Sequence, residues 1–217
     1  MKKLSLLLAM LLFVFSAANA QETPYQKAMK KEIGKSMEAD SLPQLQEAAN
    51  AFARIAALNP KEWQPYYYQA LAYTYQGLTN SLPLDKKDAA LAQAGELAKK
   101  AEAISSNNAE IVTLQGFMTM ASLSADPASR GQTLSAQVLQ SFGKALSIDN
   151  QNPRALILMA QMEAGMAKFF GSGPEKACGL AKQSVAAFEK QDEELLKATL
   201  MPYWGKKLAE RMSKDCQ

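Results

Sequence analysis

The chain is predicted to be all-α: an α-solenoid, a superhelix of antiparallel helix pairs with about nine helices. Three observations predict this. A helix–turn–helix segment recurs, with its polar turns at 60, 106 and 150, so the units are 46 and 44 residues apart. Ala is abundant and β-branched residues are sparse, a composition that favours helix. No stretch alternates polar and apolar residues with a period of two, the mark of a strand. A repeat of 40 to 50 residues marks a stacked array, in which each unit buries its apolar face against the next.

The first 20 residues read as a signal peptide rather than structure. Lys2 and Lys3 form a positive start, residues 4–15 a short apolar run, and Ala18-Asn19-Ala20 a small-x-small cleavage site before Gln21. The alternative is an N-terminal core helix. No Cys follows the site, so a lipid anchor is not expected, and no later stretch is apolar enough to span a membrane. The expected mature chain, residues 21–217, is exported to the periplasm or outside the cell. Loss of Lys2 and Lys3 lowers its formal charge from +3 to +1. That leaves no clustered positive field for nucleic acid.

Helices are expected over 24–39, 43–58, 62–78, 86–104, 108–123, 128–148, 153–168, 174–190 and 202–214, with a shorter one over 192–199. Asp85 reads as an N-cap, and Asp126-Pro127 and Asn152-Pro153 pair a capping side chain with Pro at the first helical position. Pro174 and Pro202 open the last helices in the same way. The array forms one domain, with its repeat core at about 40–190 and capping helices over 192–215.

Cys178 shares an apolar helical stripe with Ala181, Val185 and Phe188, and Cys216 shares one with Leu208 and Met212. In an exported chain an even pair suggests a disulfide, worth about 4 kcal/mol in the chain-entropy model. Two buried free thiols are the alternative.

The repeat register resembles that of tetratricopeptide repeats. Ala48, Phe52, Ile55 and Pro60 stand at the spacing of that motif's second helix, repeated by Ala94, Ala98 and Ala101 and by Val138, Phe142 and Ala145. Ala70 with Tyr73 matches the first helix, and Gly116 and Ala160 keep its small crossing position. The pattern is degenerate. Tyr66, Val112 and Leu156 replace its Trp, and the small-to-small span within a pair is 24, 22 and 24 residues, about twice the usual length. The extra length is expected as longer helices or as longer inter-helix segments, at 78–87, 123–133 and 167–175.

The resemblance implies a concave groove lined by Tyr67, Leu71 and Tyr75, then Thr113 and Phe117, then Ile157 and Gln161. Such a groove suits an extended or helical peptide held by Tyr anchors. The alternative is that terminal helices cover this face and leave no groove.

Catalytic chemistry finds little support. The chain has no His, which removes Ser–His and Cys–His nucleophilic pairs and the commonest metal ligand. Two distant Cys cannot build a four-sulfur zinc site. The run Phe169-Phe170-Gly171-Ser172-Gly173-Pro174 superficially resembles a phosphate loop, but reads better as a turn before a Pro-initiated helix. No enzyme activity, metal or cofactor is expected. The expected role is binding a protein or peptide partner in the cell envelope. The alternative is an exported binder of small molecules or glycans, with the Tyr-rich helix lining a pocket.

Overall fold

The computed structural model describes residues 22–216, so the expected signal peptide and its cleavage site lie outside the described residues. Ten helices follow in order: α1 (Pro24–Met37), α2 (Leu42–Leu58), α3 (Gln64–Leu78), α4 (Leu84–Ile104), α5 (Ala109–Ala125), α6 (Pro127–Ile148), α7 (Pro153–Phe170), α8 (Glu175–Glu189), α9 (Glu193–Ala198) and α10 (Lys206–Lys214). No strand occurs among the described residues.

Local side chains set most helix starts. Thr23 and Gln26 cap α1 reciprocally: the Gln26 N–H donates to Thr23 Oγ1 at 3.1 Å, and the Thr23 N–H to Gln26 Oε1 at 3.0 Å. Asn108 Oδ1 accepts from the Glu110 N–H at 3.0 Å, and Asn152 Oδ1 from the Ala155 N–H at 2.9 Å. Asp126 and Asp192 do the same for α6 and α9. Asp85 departs from expectation. It falls inside the first turn of α4, where its charge favours the helix dipole, and Pro83 takes the cap position.

Successive helices form the expected pairs. α3 packs chiefly on α4, α5 on α6 and α7 on α8, while α5 also touches α3 on one side and α7 on the other. The pairs close at small residues. Ala70, Ala94, Ala98, Ala101, Val138, Phe142, Ala145, Ala160, Ala181 and Ser184 are all buried. A Cβ added at Gly77 would meet the Leu91 side chain at 2.6 Å, and one at Gly116 would meet Phe142 at 2.7 Å. Those two glycines let the helix axes approach closely, which offsets their helix cost.

The C-terminus differs from expectation. Residues 202–205 are not helical, and α10 begins only at Lys206. Gly205 has φ +101, a conformation that ends any helical path from Pro202. The released segment carries Trp204 into the core, where it is 7% exposed. Beyond it, α10 packs on α8, and the Cys178–Cys216 disulfide joins the two. No free Cys remains among the described residues.

Gly116→Ala should destabilise the fold by about 1–3 kcal/mol, because fully buried Phe142 has nowhere to move. Gly143→Ala, in exposed α6 with nothing near its Cβ, should instead stabilise by about 0.5–1 kcal/mol. Urea unfolding midpoints of the two variants should therefore move in opposite directions.

Candidate functional site

The residues expected to line a groove do gather on the face shared by α3, α5 and α7. They are not open there. Tyr67, Leu71, Thr113, Phe117 and Ile157 are buried, while Tyr75 and Gln161 are half-buried. On this face the chain's own C-terminal segment covers Tyr67 and Phe117.

Trp204 is the central contact. Its indole stacks on Phe117 with ring centroids 5.7 Å apart and an interplanar angle of 25°. Its Nε1–H donates to Tyr67 Oη at 3.0 Å, so a buried donor and a buried hydroxyl satisfy each other. Tyr75 meets the other side of the cluster, edge-on to Phe117 at 5.7 Å. Tyr67 in turn lies edge-to-face against Trp63 at 5.6 Å and Tyr68 at 5.3 Å. Tyr68 Oη makes a long hydrogen bond, 3.5 Å, to the Leu200 carbonyl. Leu200 itself sits at φ +61, a left-handed conformation costing about 1–2 kcal/mol for a residue with a Cβ. The seated indole outweighs that cost, since deleting a buried Trp costs roughly 3–5 kcal/mol.

A buried charge network lies at the start of the same helices. Arg154 donates from Nε and Nη2 to the two Glu110 oxygens, each at 2.7 Å, and Asn152 Nδ2 donates to Glu110 Oε1 at 2.7 Å. Gln191 accepts from Arg154 Nη1 at 3.4 Å, and the guanidinium sits 5.8 Å above the Phe188 ring centroid. The fork-on-fork geometry gives both charges full partners. It is structural bracing between α5 and α7, with no open approach for a substrate.

The sequence reading passed over both features, though each left a signal. Glu110 and Arg154 stand 44 residues apart, one repeat unit, as do their neighbouring caps Asn108 and Asn152. Pro202-Tyr203-Trp204-Gly205 puts two aromatics between a helix-stopping Pro and a Gly, a pattern as fit for a buried strap as for a helix start.

The best-formed surface clefts are small. One, of about 220 Å³, lies between α1 and α2 and is lined by Glu32, Lys35, Glu38, Gln44, Glu47 and Ala48. The other is an apolar crevice among Met37, Leu45, Leu71 and Tyr75, with room for roughly one water molecule. Neither reaches the ~300 Å³ at which small-ligand pockets begin. Among the described residues no group of three or more Cys, Asp or Glu side chains could hold a metal ion. No helix among them is long and apolar enough to cross a membrane.

Burial pushes the Tyr67 and Tyr68 phenols well above 10, with the nearby Glu110 carboxylate adding to the effect on Tyr67. Burial pushes Tyr75 up to about 12. The unfolded chain ionises its tyrosines near 10, while the folded chain keeps these protonated. Their contribution to stability is thus full below pH ~10 and is lost as pH rises past it. Alkaline titration followed by ultraviolet absorbance should show Tyr67 and Tyr68 ionising only as the fold melts. Separately, Trp204→Ala should lower stability by about 3–5 kcal/mol, and Trp204→Phe, which loses chiefly the bond to Tyr67, by about 1–2 kcal/mol, in chemical denaturation.

No protein-family model matches the sequence, and no curated protein matches it. Among solved structures the chain is similar to the HusA haemophore from Porphyromonas gingivalis. The two are 27% identical with a TM-score of 0.79, and the match covers 92% of this chain and 96% of that one.

Proposed function

We propose that this chain is an exported, non-enzymatic binding protein for a flat, largely apolar small molecule of the haem or porphyrin class. The observation that carries this reading is the likeness to the HusA haemophore along nearly the full length of both chains. The closed face argues in the same direction. With Trp204 seated on Phe117, the groove that would hold an extended peptide is taken. The small-molecule alternative from the sequence reading becomes the better one. The disulfide supports export, because such bonds persist in oxidising compartments.

The chain's chemistry constrains how it would hold such a ligand. It has no His, and Cys178 and Cys216 are bonded to each other. The usual His or thiolate ligand to haem iron is therefore not on offer. Grip falls to aromatic and methionine side chains against the plate, with Lys side chains for the carboxylates. With Met or Tyr left as axial candidates and Tyr67 and Tyr68 buried, the iron should add only modestly to affinity. Titrating the chain 21–217 with haemin and with metal-free protoporphyrin, followed by the Soret band and tryptophan fluorescence, should give saturable binding of both within about tenfold of each other, a gap of about 1.4 kcal/mol. No saturable change with either compound would sink the reading.

A further inference from the structure

The apolar stripe of α7 does not stop where its packing stops. Ala155, Leu158, Met162, Met166 and Phe169 follow each other at spacings of three and four, so they share one side of the helix. Ala155, Leu158 and Met162 are buried and Met166 is half-buried. Phe169 is 83% exposed, and the adjacent Phe170 is 71% exposed. The stripe thus runs out of the core and into solvent over the last turn. Gly171, at φ +70, then closes the helix, and Ser172 N–H bonds back to the Ala167 carbonyl at 2.9 Å, which fixes that turn.

The two exposed rings are ordered against each other, edge-to-face with centroids 5.0 Å apart and planes at 89°. They present one ring face and one ring edge at a corner. The other large exposed apolar side chains among the described residues are aliphatic and come singly: Leu58, Leu84, Ile104 and Leu195. Single exposed aliphatics are ordinary on a protein surface, whereas an exposed aromatic pair is not. Lys168, next to the pair in sequence, is exposed. Lys176 forms an ion pair with Glu163 at 2.7 Å, in a geometry poor for a hydrogen bond.

We propose that Phe169 and Phe170, with Met166 at their base and Lys168 beside them, form the ledge on which the chain holds a flat aromatic carboxylate of the porphyrin class. This rests on the function proposed above and locates its site. A ring face and a neighbouring edge suit stacking on a π-system. The exposed Lys168 cation suits a carboxylate on the ligand. The pair exposes roughly 300 Å², well short of the ~800 Å² per partner that a stable dimer buries.

The test titrates haemin, protoporphyrin and protoporphyrin dimethyl ester into the wild-type chain 21–217 and its variants. Phe169→Ala/Phe170→Ala should weaken haemin and protoporphyrin at least tenfold with an unchanged melting temperature. Leu58→Ala, a single exposed aliphatic, should leave both within twofold. Phe169→Leu keeps apolar volume and should still lose at least threefold, since stacking needs the ring. Lys168→Gln should weaken protoporphyrin but not its dimethyl ester. Wild-type binding with the double Phe variant within threefold of it would overturn the ledge while leaving the proposed function standing. Failure of the wild type to bind any of the three would overturn both. Porphyrin affinity unchanged in the double Phe variant, while ligand-free dimers or sedimentation with phosphatidylglycerol vesicles are lost, would assign the rings to a second copy or a lipid surface and overturn the proposal.

Discussion

Trp204 seated on Phe117, with its indole N–H bonded to Tyr67, closes the face on which the rest of the molecule is built. An array of helix pairs leaves the inner sides of its first helices facing no other helix. Here those sides carry Tyr67, Leu71, Phe117 and Ile157, too apolar to stand in water together. A strap from the C-terminus covers Tyr67 and Phe117, at the expense of a left-handed Leu200 and an opened helix start. The disulfide holds α10, which follows the strap, against α8 and so shortens the excursions the strap can make.

Closing that face changes what the molecule can do. A repeat array usually presents its inner curve to a partner, yet here the curve is part of the core. α7 ends at Phe170 with two aromatic rings in solvent. The closed interior and the exposed ring pair are the two structural facts from which the proposed site follows.

The Glu110–Arg154 pair fixes how neighbouring units meet. A buried ion pair is weak evidence for net stability, but removing one partner strands the other, at a typical cost of 3–5 kcal/mol. Because the two residues occupy equivalent positions one unit apart, the pair ties α5 to α7 in a single register. The long hydrophobic stripes alone would tolerate slippage along the axes more readily than a bidentate bond would.

The sequence by itself determined the helices and their pairing. Capping residues such as Asn108, Asp126 and Asn152 act within a few positions of themselves, and small crossing residues such as Gly116 and Ala160 declare a helix contact by size alone. Both effects are local or periodic, so they can be read along the chain. The gathering of Tyr67, Thr113, Phe117 and Ile157 on one face was legible for the same reason. Whether that face is open was not, because the answer lies 137 residues from Tyr67, where Trp204 supplies the partner. The tertiary structure also decided that Phe169 is exposed, since its spacing matches that of buried Leu158 and Met162. Periodicity assigns a residue to a side of a helix, but only the neighbouring helices decide how far along that side the core extends.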